Sequence, residues 1–157
     1  SCYGRYSRWF ISGSRELMSA RSKARKQALD ILYESDIRNS DPVATLEARD
    51  IVEEGPDARP IRDFTRELIS GVATNKRKID ELIATYAQGW DMDRLAAVDR
   101  NILRLGIYEI IWSDELADGI AIDEAITLAK DLSTDDSATF IHGLLGKISS
   151  IKESVAR

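Results

Sequence analysis

Apolar residues recur at helical spacing along nearly the whole chain beyond residue 20, and the pattern predicts one helix after another. Ala24, Ala28, Ile31, Leu32 and Ser35 share one face of a helix over 21–37. Asn39-Ser40-Asp41-Pro42 ends it, and Asp41 can cap a second helix, about 42–53, with Pro42 at its first position. That helix is weakly apolar (Val43, Leu46, Ile51) and belongs at the surface. Gly55-Pro56-Asp57 and Pro60 mark a loop. Ile61, Phe64, Leu68, Ile69 and Val72 predict a third helix, punctuated at Thr74 or Asn75, and Ile79, Leu82, Ile83 and Tyr86 a fourth. Gly89-Trp90-Asp91 reads as a turn.

The strongest helix falls over 93–112. Leu95, Val98, Ile102 and Leu105 form one stripe, while Leu103, Ile107, Ile110 and Ile111 cover much of the remaining circumference. A helix apolar nearly all round is a buried one, so this is the central element. After an exit loop at 114–119, Ala121, Ile122, Ala125, Ile126, Ala129 and Leu132 predict a sixth helix. Asp135-Asp136-Ser137 opens a seventh, its acids well placed for the N-terminal dipole, with Phe140, Ile141, Leu144, Leu145, Ile148 and Ile151 on its inner side. The expected class is therefore all-α with about seven helices. Only 9 Gly and 3 Pro in 157 residues agree with that, because a many-stranded barrel or sandwich needs more turn-formers.

Residues 1–17 show no period of either kind, and Met18 looks like a start codon. We expect a non-native or disordered extension over 1–17 and a single domain over 18–157. The WFI run at 9–11 is too short for a signal peptide, no stretch is long and apolar enough for a membrane span, and the single cysteine, Cys2, has no internal partner. A reducing, cytoplasmic setting follows naturally.

The net charge of −5 conceals an asymmetry. Residues 1–26 hold seven cations against one acid, and the remainder is strongly acidic. Arg21, Lys23, Arg25 and Lys26 crowd the start of the first helix, where they oppose its macrodipole, so local stability does not explain them. They suit a local anionic ligand. Tyr33 lies seven residues after Lys26, off the buried stripe, and is a candidate contact. Phe140, at the edge of its stripe, can stack on a base or serve as ordinary core, with periodicity favouring core. Lys76-Arg77-Lys78 reads as a solvated face.

Catalytic chemistry is hard to assemble. The lone histidine, His142, falls opposite its helix's apolar stripe. One Cys and one His cannot make a zinc set, and neither a Walker loop nor G-x-G-x-x-G occurs. Glu109 is the exception among the acids, because it falls on the apolar line of the central helix. It is either a perturbed catalytic acid or one arm of a buried ion pair, and the paired reading is favoured.

These residues also fall into ordered blocks. Arg21-Ser22-Lys23-Ala24-Arg25-Lys26 runs into Ala28-Leu29-Asp30-Ile31-Leu32-Tyr33; Gly71-Val72-Ala73-Thr74-Asn75, Val98-Asp99-Arg100-Asn101-Ile102-Leu103-Arg104 with Tyr108-Glu109, and Ile122-Asp123-Glu124-Ala125 follow; Leu128-Ala129-Lys130 and Asp135-Asp136-Ser137 lead to Phe140-Ile141-His142-Gly143-Leu144-Leu145. Over about 20–154 the chain resembles the NusB family of bacterial transcription antitermination and rRNA-processing factors, with an actinobacterial flavour in Leu132 to Ser137. His142 stands where that family usually has Asn, and Asp99 where Glu is also common.

The resemblance implies two small helical bundles packed together, no catalysis, no cofactor and no metal. It implies binding of single-stranded boxA RNA in nascent rRNA together with the ribosomal protein NusE, within the transcription elongation complex. By motif position, Arg21, Lys23, Arg25, Lys26, Asp136 and Phe140 are the expected RNA residues, and Tyr33 and Asp99 the expected NusE contacts. Family members occur as monomers and homodimers. An acidic body suits a basic ribosomal partner. Four phosphate contacts would give a log affinity–log salt slope of about −3 at roughly −0.7 per contact. The rival expectations are a helical protein–protein adaptor and a NusB-like module detached from an rRNA cytosine methyltransferase.

Overall fold

The computed structural model describes residues 12–52, 55–56, 59–87 and 94–157. Among the described residues it contains six α-helices, which we label α1 (Ser12–Arg38), α2 (Pro42–Val52), α3 (Asp63–Tyr86), α4 (Ala97–Ile111), α5 (Asp118–Leu132) and α6 (Asp135–Ile151), followed by a short 3-10 turn, Lys152–Ser154. The all-α class stands. So do the two bundles: α1, α2 and α3 pack on one another, α4, α5 and α6 do the same, and α4 also touches α1 and α3.

Helix boundaries follow local chemistry. Asp41 caps α2, its carboxylate accepting the Ala44 N–H at 3.1 Å. At α6 the cap is Thr134, whose hydroxyl accepts the Ser137 N–H at 3.0 Å, with Asp135 and Asp136 in the first turn. Two expectations need correction. α1 begins at Ser12 rather than near 21; residues 1–11, like the Gly89-Trp90-Asp91 turn, lie outside the described residues. The punctuation at Thr74 or Asn75 is also absent. Asn75 donates its side-chain amide back to the Gly71 carbonyl at 2.9 Å, satisfying itself within the helix instead of ending it, and α3 runs unbroken for 24 residues.

α4 is the centre, as its pattern predicts. Ile102, Leu103, Leu105, Ile107, Ile110 and Ile111 are at most 2% exposed. Two glycines set how closely the other helices approach. A Cβ added at Gly71 of α3 would overlap the Tyr108 ring of α4, and one added at Gly106 of α4 would press on Leu145 of α6 at 2.8 Å. The peripheral α2 inserts Leu46 into the core and leaves Ile51 76% exposed.

A helix buried on every side must satisfy any polar group it carries. α4 carries several. The Arg104 guanidinium pairs with Asp80 of α3 through two hydrogen bonds, 2.8 and 3.1 Å. Asp36 of α1 accepts from Arg100 at 2.9 and 2.7 Å and from Asn101 at 3.0 Å. Burial pushes the Asp36 carboxyl upward, but the Arg100 hydrogen bond, the Arg104 charge and the Asn101 hydrogen bond together hold it below its ordinary value of 3.8. These contacts tie α1 and α3 to α4 across the join between the bundles.

Two outcomes follow from this packing. A carboxylate held below its unfolded value contributes stability above that value and loses it as pH falls through the folded one. The stability gap between wild type and Asp36→Asn, measured by urea unfolding, should be full above pH 3.8 and should shrink below it; a gap that widens on acidification would contradict the assignment. Gly71→Ala should cost about 1–3 kcal/mol by overpacking against Tyr108, despite the better helix propensity of alanine. An unchanged denaturation midpoint would contradict the close approach.

Candidate nucleic-acid interface

The cations over 21–26 of α1 do not share a face. Lys23 and Lys26 are exposed, whereas Arg25 is 2% exposed. Periodicity explains the split, because Arg25 lies three and seven residues before the buried Ala28 and Leu32. Its side chain points at α4 and meets Glu109. The Nε donates to both carboxylate oxygens at 3.1 and 3.0 Å, and Nη2 donates to Oε1 at 2.7 Å. Glu124 of α5 lies 3.7 Å from Nη1 and also accepts from the Ser22 hydroxyl. The expectation that Arg25 meets a ligand at the surface is therefore corrected: its donors are committed inside the protein. The expectation of a buried ion pair for Glu109 is met.

Arg21 sits between these extremes. Its guanidinium bonds Glu115 at 3.0 Å with both groups partly exposed, and it lies 4.9 Å above the centre of the Phe64 ring. Arg25 shares that ring from 5.3 Å. Nearby, the Tyr108 hydroxyl is pushed above its ordinary value of 10.0, chiefly by burial and then by the Glu67, Glu109 and Glu115 carboxylates, so it remains a neutral phenol.

On the opposite side of α1, Lys23, Lys26 and Tyr33 line one groove of about 970 Å³. Tyr33 is 39% exposed. Among the described residues neither lysine has a carboxylate partner, in contrast to Arg21 and Arg25. Val98 at the start of α4 and Leu132 at the end of α5 close the far side of the groove.

That far side adjoins the remaining predicted residues. Asp99 follows Val98 and is 8% exposed. One of its oxygens accepts the Ser137 hydroxyl at 2.8 Å; the other is buried with no hydrogen-bond partner among the described residues. Such an atom costs about 1–3 kcal/mol unless something donates to it. Asp136, beside Ser137, is exposed, and Phe140 is half-buried against the core. His142 is exposed, as predicted. The structure thus gathers Lys23, Lys26 and Tyr33 directly, sets Asp99, Asp136 and Phe140 at the adjoining corner, and turns Arg21 and Arg25 away. Sequence reasoning missed Ser137 as the anchor of Asp99. It also missed Gln27, which holds the loop before α3 against α1. Their signal is only polarity at half-buried helical positions. Among the described residues, no group of acids, His or Cys could hold a metal ion, and no helix is long and apolar enough to cross a membrane.

Comparison with known proteins agrees across the chain. The family model described as NusB family matches residues 22–150. The transcription antitermination protein NusB of a Nocardioides species is 48% identical over 139 residues, 88% of this chain and all of that protein. Its counterpart from Saccharopolyspora erythraea is 49% identical over 135 residues, 85% of this chain and 89% of that one. Among solved structures, NusB of T. maritima superposes with a TM-score of 0.70 at 34% identity, covering 83% of this chain and 90% of that one. A crystal structure of antitermination factors NusB and NusE in complex with dsRNA gives a TM-score of 0.70 at 26% identity, covering 85% and 98%.

The two kinds of cation on α1 should separate by mutation. Arg25→Ala leaves Glu109 buried and unpaired and should cost about 3–5 kcal/mol. Lys23→Ala and Lys26→Ala should each stay within about 0.5 kcal/mol. Thermal and urea unfolding check both; equal, small losses at all three positions would contradict the inward placement of Arg25.

Proposed function

The chain belongs to the NusB family, and on that premise we propose that it is a transcription antitermination factor that binds the single-stranded boxA element of nascent rRNA together with NusE, in support of rRNA transcription and processing within the elongation complex. The observation that carries this reading is the division of α1: Arg25 is consumed inside, while Lys23 and Lys26 remain exposed in a groove, without carboxylate partners among the described residues. Two flexible ammonium groups in line along a helix suit phosphates, which they meet as point charges. Arg21, on the other side of α1, is the third cation we assign to the RNA, exchanging the exposed Glu115 for a phosphate, because an exposed salt bridge contributes little. Asp136 and Phe140 lie at the far corner, and we assign the half-buried Phe140 ring to a base.

NusE is assigned to the corner with Tyr33 and Asp99. Tyr33 offers a half-exposed ring with a polar tip, and Asp99, 8% exposed, keeps one oxygen without a hydrogen-bond partner among the described residues. A basic ribosomal protein matches an acidic body. Roles here are binding roles, with no chemical step. RNA affinity of this chain alone should be modest and should rise when NusE adds surface. A homodimer that covered α1 would compete with RNA.

Fluorescence anisotropy tests this with a labelled boxA-like strand, a scrambled strand and a duplex, with and without NusE, across a salt series. Three phosphate contacts from Arg21, Lys23 and Lys26 correspond to a slope of about −2. The expected result is preference for the boxA strand, tightening with NusE, and a slope reduced by about 1.4 in Lys23→Ala/Lys26→Ala. Asp99→Ala and Tyr33→Ala should weaken the NusE effect and spare the binary RNA affinity. Equal binding to boxA and scrambled strands would overturn boxA recognition and move the weight to a protein adaptor.

A further inference from the structure

The loop that leads into α3 carries cations for which the ion-pair scheme of the fold leaves no use. Arg59 and Arg62 flank Pro60 and Ile61, and both are exposed. Among the described residues neither has a carboxylate partner. The other arginines around this face do: Arg49 pairs with Asp30 and Glu34, and Arg66 with Asp50. Arg59 and Arg62 line the same groove as Lys23 and Lys26.

Their position is fixed by Gln27, one residue beyond Lys26. The Gln27 amide donates to the Pro60 carbonyl at 3.3 Å, and its oxygen accepts the Arg62 N–H at 3.1 Å and the Thr65 hydroxyl at 2.8 Å. Thr65 in turn lies 3.0 Å from the Ala24 carbonyl. The loop is therefore clamped to α1 by side-chain-to-backbone bonds, and its two arginines line the groove together with the two lysines of α1. The groove is lined by apolar side chains, Leu29 and Ile61 with Val98 and Leu132 at its far side. From Lys23 to Tyr33 the groove follows α1 for about 15 Å at the helical rise.

We infer that Arg59 and Arg62 form the second wall of the RNA track, so that a single strand lies between α1 and the loop before α3, its phosphates held from both sides. Charge selects the occupant. Four exposed cations repel the basic partner assigned to the Tyr33–Asp99 corner, whereas an extended polyanion neutralises all four while its bases rest on the apolar lining. The inference rests on the RNA reading of Lys23 and Lys26 and extends it to residues 59–62.

Arg59→Ala/Arg62→Ala, Arg59→Lys/Arg62→Lys and Lys23→Ala/Lys26→Ala in the full chain test it, using anisotropy of a labelled boxA-like single strand over a salt series. Five contacts in the wild type correspond to a slope of about −3.5, and removal of Arg59 and Arg62 should return it to about −2. The lysine replacements should retain the wild-type slope, because charge is kept. All four side chains are exposed, so thermal unfolding should be unchanged. A wild-type slope in the Arg59→Ala/Arg62→Ala variant, with a reduced slope in Lys23→Ala/Lys26→Ala, overturns the second wall and leaves the RNA reading standing. Wild-type slopes in both overturn the RNA site itself. Loss of NusE affinity at unchanged RNA affinity also overturns the inference, and assigns the groove to protein.

Discussion

The interaction on which the rest depends is the buried pair between Arg25 and Glu109. Glu109 sits on the most buried helix of the molecule, 5% exposed, where a lone carboxylate would not be tolerated. Arg25 is the group that makes it tolerable, and its planar fork fixes geometry as well as charge. The pair sets the rotation of α1 about its own axis. Once Arg25 faces α4, the 100° step of the helix turns Lys23 and Lys26 outward. A structural bond inside the protein thus determines which cations a ligand can reach. The same arrangement recurs at the other end of α1, where Asp36 holds Arg100 and Asn101 of α4, so the helix is fixed against α4 at two points.

Much of this was legible in the sequence, but unevenly. The apolar circumference of 93–112 marks α4 as central, and Glu109 on its apolar line calls for a partner. Naming that partner was within reach: Arg25 keeps helical spacing with Ala28 and Leu32, whereas the cluster as a whole reads as one basic patch. Charge density along a chain says how many cations are present. Only phase against the buried stripe says which way each points.

Other features depend on contacts between distant segments and leave no local trace. Asn75 resembles a helix stop, and only its bond to the Gly71 carbonyl shows the helix absorbing it. Arg59 and Arg62 read as loop cations, since their meaning comes from Gln27, more than 30 residues away in the chain. The corner of Asp99, Ser137 and Asp136 joins residues of α4 and α6 that no periodicity relates. The family resemblance names Asp99 and Asp136 by motif; the structure adds the Ser137 hydroxyl that binds Asp99 and so joins the two helices at this corner.

The most direct measurement is the RNA affinity and salt slope of the double variant Arg25→Met/Glu109→Leu. It exchanges a buried ion pair for apolar packing and leaves net charge unchanged, and Glu124, which loses Arg25, keeps the Ser22 hydroxyl bond. If Arg25 is structural and the exposed lysines meet the RNA, the folded double variant should bind the boxA-like strand with the wild-type affinity and slope. A slope reduced by about 0.7, the signature of one lost phosphate contact, would show Arg25 reaching the RNA and contradict the division of α1 into an inner and an outer charge.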